Sequence, residues 1–206
     1  MKTMILIPCM DMVHARFMRS LLVLDKVGDV SYGFHYSSLI YDARNQLLDI
    51  ARQHNVDRVL WFDSDMDIPL NAMRILSEDL DNGYEIVSGL YFKRKPPYTP
   101  TIYSDCDVVK LDNDQLLPLN TPFTDYPKDQ IFEVAAFGFG CVMMSMDAAK
   151  KVTDAFGMMP FMPTAGFGED LSFCMRARKA GIRIWCDSRV RLGHIGMKVY
   201  AGESGE

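Results

Sequence analysis

The chain has 206 residues, 49% of them hydrophobic and 24% charged, the balance of one soluble globular domain with a sizeable core. Its formal net charge of -5 offers no global attraction to nucleic acid, and no apolar run approaches the ~18 residues that would span a bilayer. The composition therefore excludes a non-specific nucleic-acid binder and predicts no membrane anchor.

The opening "MKTMILIPCM" is too short an apolar run for a signal peptide. Five cysteines, an odd number with no C-x-x-C pair, read as reduced, buried thiols and a cytoplasmic protein.

In chain order, "MILIP" (4–8) predicts a strand buried on both faces. Residues 41–53 put Ala43, Leu47, Ile50 and Ala51 on one helical face. "RVLWF" (58–62) reads as a second buried strand. Asp67, two residues before Pro69, then fits the N-cap of a helix striped by Met73, Leu76 and Leu80 and stopped by Gly83. "YEIVSGL" (84–90) reads as a third strand. Alternating strands and helices at this spacing predict a mostly parallel α/β sheet flanked by helices. From residue 91 to 130 the chain turns proline- and aspartate-rich, an irregular excursion with a hairpin around "VVKLDNDQLL". Residues 131–145 read as two strands around a glycine turn, Asp147 as the cap of a helix over 148–156, and Glu169 to Ala180 as a helix ended by Gly181. "IRIWC" and "VRLGH" read as late strands, and the small polar tail "AGESGE" as frayed.

The stretch "VLWFDSDMDI" (59–68) runs four apolar side chains into three acids at alternate positions. In an open α/β sheet, ligands bind at the carboxyl ends of strands. Asp63 and Asp65 are two apart, so in extended backbone they point the same way and repel each other. A shared cation relieves that repulsion, and hard carboxylate oxygens suit magnesium or manganese, which commonly also bind substrate phosphates.

"LWFDSDMDIP" resembles the D-x-D element of the GT-A glycosyltransferases, the fold of glycosyltransferase family 2 and its relatives. Five more stretches match in the right order: "MILIPCMD", "YDARNQLLDIA", "SGLYFKRKPP", "AAFGFGCVMMSMDAAKKV" and "GFGEDLSFCMRARKAGIRIWCD". The resemblance covers most of the chain except 105–130. It implies a single GT-A domain over 1–206, with a nucleotide-binding half (1–90) and an acceptor and catalytic half (91–200). It also implies transfer of a hexosyl or N-acetylhexosaminyl group from a nucleotide-sugar donor to a glycan or other hydroxyl acceptor.

Under that resemblance, Asp63, Asp65 and His194 would hold Mn2+ or Mg2+, the imidazole favouring manganese. Pro8, Cys9, Met10 and Asp11 would meet the nucleotide base, with Ser37 and Ser38 leaving room for uracil. Arg44, a cation placed against its helix dipole, would meet the diphosphate, and Ser64, Phe139 and Gly140 would line the donor site. Asp170 would be the general base of an inverting enzyme, and Glu169 would bind acceptor or donor sugar. Glu169 and Asp170 also suit the first turn of any helix. Lys93, Arg94 and Lys95 read as a solvated basic loop, with reach to a phosphate or an acidic acceptor.

"FGFG" (137–140) lacks the third glycine of a dinucleotide fingerprint, so a nicotinamide site is rejected. Its glycines allow close approach to a sugar or a tight turn, and Phe137, Phe139, Phe167 and Tyr91 read as sugar-stacking walls or as core. His14, His35 and His54 are structural or surface residues. Two alternatives stand beside the transferase. One is a nucleotide-sugar-binding module without turnover. The other is a sugar-nucleotide pyrophosphorylase, disfavoured because "PCMDMVHARF" has no glycine.

Overall fold

The computed structural model describes residues 1–196; the polar tail considered above lies outside the described residues. The elements in order are β1 (Lys2–Cys9), α1 (Ala15–Val23), β2 (Asp29–Tyr36), α2 (Ile40–Gln53), β3 (Arg58–Phe62), β4 (Met66–Asp67), α3 (Ala72–Asp81) and β5 (Ile86–Leu90). They continue with β6 (Ile102–Lys110), β7 (Leu116–Pro122), β8 (Ile131–Val134), β9 (Ala136–Phe137), β10 (Cys141–Ser145), α4 (Met146–Phe156), α5 (Glu169–Lys179), β11 (Ile184–Arg191) and β12 (Gly193–His194).

Seven strands form the central sheet in the order β2-β1-β3-β10-β5-β11-β8. β2, β1, β3, β5 and β11 run one way, while β10 and β8 run against their neighbours. β10 comes from the second half of the sequence yet lies between β3 and β5, so the sheet is one body and does not divide near residue 90.

The all-apolar runs of β1 and β3 follow from burial on both faces. Met4, Leu6, Val59 and Trp61 face the core layer shared with α2, α4 and α5. Ile5, Ile7, Leu60 and Phe62 face the opposite layer, built with Phe17 and Leu21 of α1 and Met73 and Leu76 of α3. Each such side chain contributes roughly 1.5–3 kcal/mol by leaving water.

β6 and β7 pair as the expected hairpin, and α3 and α5 stop just before Gly83 and Gly181. Several local expectations change. α1 and β2 occupy a stretch where no element is expected from the sequence. Asp67 does not cap a helix; it lies in β4, and α3 begins at Ala72 with Asn71 before it. Ser145, not Asp147, caps α4, because its Oγ accepts from the Ala148 amide at 3.1 Å. Residues 131–145 make three strands rather than two. The two late strands are largely one, β11, with a register shift between Asp187 and Arg191.

Candidate active site

β3 ends at Phe62, and the next residues turn outward at the carboxyl end of the sheet. The Asp63 amide donates to the Gly140 carbonyl at 3.2 Å, tying that turn to the start of β10. β4 then pairs antiparallel with β12, matching Met66 to His194 and Asp67 to Gly193, and the Ile195 amide donates to the Asp65 carbonyl at 2.8 Å. This small ladder carries the end of the described chain back to the acids.

The structure separates the two aspartates. Asp63 turns to Arg44, whose Nη2 donates to Asp63 Oδ1 at 2.8 Å. The Nε of the same guanidinium donates to Glu169 Oε1 at 3.2 Å. The Arg44 side chain is only 2% exposed and lies over the Phe139 ring at 5.1 Å. Burial opposes its charge, but the carboxylates of Asp63 and Glu169 outweigh that and hold it firmly protonated. Arg44 is thus a buried brace between β3, α2 and the start of α5, and not the open diphosphate contact expected of it. Its Nη1 is buried without a partner.

Asp170 opens α5 beside this brace. Gly168 leaves room for it, since a Cβ there would come within 3.1 Å of Asp170 Oδ1. Burial and then the neighbouring Glu169 charge push its carboxyl up to about 6, against the pull of the Leu171 amide and Arg44. Such a group is mostly ionised at neutral pH yet remains a serviceable base.

Asp65 faces the other way. Its Oδ2 lies 3.4 Å from His194 Nε2 and 3.1 Å from Arg94 Nη1. Burial works against its ionisation, but the His194 hydrogen bond and the charges of His194 and Arg94 hold it below the usual carboxylate range. His194 Nδ1 sits 2.8 Å from the Phe92 carbonyl oxygen. A carbonyl only accepts, so Nδ1 carries the proton. Nε2 then either bears a second proton and pairs with Asp65, or turns its lone pair toward a cation shared with Asp65. That is the tautomer a metal-ligating histidine needs.

A carboxylate and an imidazole fit a divalent ion that keeps waters and substrate oxygens for its other positions. Among the described residues no group of three His, Cys, Asp or Glu side chains converges on one point. Of the three residues expected at a metal, the structure brings Asp65 and His194 together, while Asp63 pairs with Arg44.

Between the ends of β1 and β3 lies a cleft of about 270 Å³, lined by Pro8, Cys9, Met10, Ser37, Ser38, Ile40, Asp63, Ser64 and Asp65. The structure brings these expected residues together; Asp11 is exposed outside the lining. A larger cleft of about 690 Å³ opens at the opposite end of the sheet, around Arg58, Tyr84 and Lys151, away from these acids.

The "FGFG" segment plays a different part from a sugar wall. Phe137, Phe139, Phe167 and Tyr91 are all buried. Phe139 packs with Trp61, Phe161 and Phe173. Tyr91 fills the space beside the two glycines: a Cβ at Gly140 would lie 2.8 Å from its ring, and one at Gly138 would strike its hydroxyl. Tyr91 Oη in turn accepts from the Gly140 amide at 3.1 Å. These glycines admit a tyrosine, and Phe139 floors Arg44. Neither role had a signal in the local sequence.

No family model matches the chain, and no curated protein sequence matches it. Solved structures do. A197 from STIV superposes with a TM-score of 0.60 at 15% identity, covering all of both chains. GalNAc-T7, solved with UDP, GalNAc and Mn2+, gives 0.63 at 11% identity over 98% of this chain and 45% of its own. S. aureus TarS 1–349 gives 0.58 at 15% identity over 95% of this chain and 60% of its own. The chain has the GT-A fold of glycosyltransferases. It spans about half the length of GalNAc-T7 and three fifths of the TarS fragment.

Proposed function

We propose that this protein transfers a sugar from a nucleotide-diphosphate sugar to a hydroxyl acceptor, aided by a divalent cation. The observation that carries the reading is the placement of two distinct acid sites at the rim of the sheet. Asp65 with His194 lies beside the small cleft, and Asp170 lies beside the Arg44 brace.

The cleft between Pro8–Met10 and Ser37–Ser38 suits a flat base held by backbone groups, and the short side chains of Ser37 and Ser38 leave room for uracil. Asp65 and His194 would hold the cation, manganese suiting the imidazole; bound there, it would neutralise charge growing on the diphosphate as the glycosidic bond breaks. Asp170 takes the proton of the acceptor hydroxyl, a contribution of roughly 10²–10⁴ in rate. Glu169, fixed by Arg44, orients sugar hydroxyls next to that base. Arg44 acts through Asp63 and Glu169 rather than on the donor. A base acting directly on the acceptor entails inversion at the anomeric carbon, so the configuration of the product checks that assignment.

The test is a panel of nucleotide sugars with Mn2+, read by nucleotide release. Release from a uridine diphosphate sugar above the other nucleotides supports the reading. Binding without release from any member supports a sugar-nucleotide-binding module instead.

A further inference from the structure

The Asp65–His194 pair is built on a rigid frame. β4 and β12 hydrogen-bond across it, and the Ile195 amide is fixed to the Asp65 carbonyl at 2.8 Å. His194 is held by the Phe92 carbonyl. The third member of the cluster comes from outside this frame. Arg94, on the loop after β5, is half exposed and reaches in from solvent to Asp65 Oδ2 at 3.1 Å. The same Nη1 donates to the Ile195 carbonyl at 3.1 Å. Its stem crosses Gly196 closely enough that a Cβ there would lie 3.2 Å from Arg94 Cδ. Bare backbone lets the arginine lie down on this turn.

A guanidinium keeps its charge at any ordinary pH. It therefore neutralises Asp65 as a cation would, and its Nη1 lies 3.1 Å from the oxygen that a metal ion would need as a ligand. We propose that Arg94 fills the cation seat at Asp65 in the empty protein, and that it leaves when a divalent ion binds and pairs with the diphosphate of the donor. This rests on the transferase reading above. It makes cation and nucleotide mutually dependent: the ion alone must evict Arg94, whereas ion and diphosphate together give the evicted guanidinium a new anionic partner. Such coupling is reciprocal between the two ligands.

The test is calorimetric titration of Mn2+, alone and then with uridine diphosphate, into wild type, Arg94→Ala and Arg94→Lys. An exposed ion pair of this kind is worth little, so removing it tightens Mn2+ alone by roughly threefold. The same Arg94→Ala change weakens uridine diphosphate in saturating Mn2+, and Arg94→Lys restores part of both effects. This opposition of sign is not what loss of structure would produce. Equal Mn2+ affinity in wild type and Arg94→Ala overturns the proposal, as does weakening of both ligands together. Absence of Mn2+ binding in all three proteins overturns it too. Nucleotide release measured on the same wild-type sample then shows whether the transferase reading falls with it.

Discussion

Two places in this molecule set acids close together against an arginine. At the rim, Arg44 braces Asp63 and Glu169 next to Asp170. Between α3 and β11, Asp79 and Asp187 lie side by side with Arg189, whose Nη2 is 2.9 Å from Asp79 Oδ1. The inventories are alike, but the arrangement is reversed. At the rim the arginine is buried and the acids lead toward the cleft. In the inner cluster the acids are shut in and the arginine is 42% exposed, reaching over them from solvent. Asp79 is pushed up to about 7 by burial and by Asp187, the same direction and the same leading cause as at Asp170. A perturbed acid alone therefore does not mark a site. Position at the carboxyl ends of the strands, beside a cleft, separates the two.

The largest expected effect breaks the symmetry by chemistry. Asp170→Asn keeps shape and hydrogen bonding but cannot take a proton. Transfer should fall by roughly 10²–10⁴ while donor binding and thermal stability stay near wild type. Asp79→Asn should leave transfer intact. Wild-type turnover in Asp170→Asn would reduce Asp170 to a helix-opening acid like any other.

The next effect is on stability. Arg44→Ala leaves Asp63 and Glu169 facing each other without a counter-charge. Removing one partner from a buried ionic group costs about 3–5 kcal/mol, visible as a large fall in the chemical-denaturation midpoint. Arg189→Ala should cost much less at pH 5, because a shared proton can replace the exposed arginine. Equal losses at the two arginines would remove the distinction drawn between them.

The smallest effect is a slope with pH. Burial and the neighbouring Asp187 charge push the folded-state carboxyl of Asp79 up to about 7, above the ~3.9 of an unfolded chain. Folding therefore favours its protonated form. That stability is fully present below pH ~4, fades as pH rises toward 7, and is gone above. Asp170 adds the same sign over a range ending near 6. Denaturation midpoints should decline between pH 4 and 7, and Asp79→Asn should flatten the upper part of that decline. A wild-type slope persisting unchanged in Asp79→Asn would place the titration elsewhere.

Much of the frame was legible in the sequence because burial on both faces leaves a plain mark. "RVLWF" reads as β3 to the residue, and the order of strand and helix follows from periodicity. β2 leaves a weaker mark although Tyr32, Phe34 and Tyr36 alternate, because it is an edge strand whose aromatics stay partly exposed and give no buried run. The start of α1 is hidden because its cap is His14, whose Nδ1 accepts from the Arg16 amide at 3.2 Å, and histidine is not a usual capping signal. At the site, the cleft residues from β1 and β3 could be read from strand ends. The partnership of Arg44 with Glu169, 125 positions apart, could not, nor could the role of Tyr91 beside Gly140. Such contacts depend on which strands become neighbours, and the insertion of β10 between β3 and β5 leaves no local trace.

Nucleotide binding tests the central claim most directly, because it needs neither the acceptor nor the sugar to be known. Uridine diphosphate is titrated into wild type with Mn2+, into wild type with excess chelator, and into Asp65→Ala with Mn2+. The account predicts binding in the first case and its loss in the other two, with all three samples equally folded. Equally tight binding in chelator and in Asp65→Ala would contradict the assignment of Asp65 and His194 as the cation seat beside the nucleotide cleft.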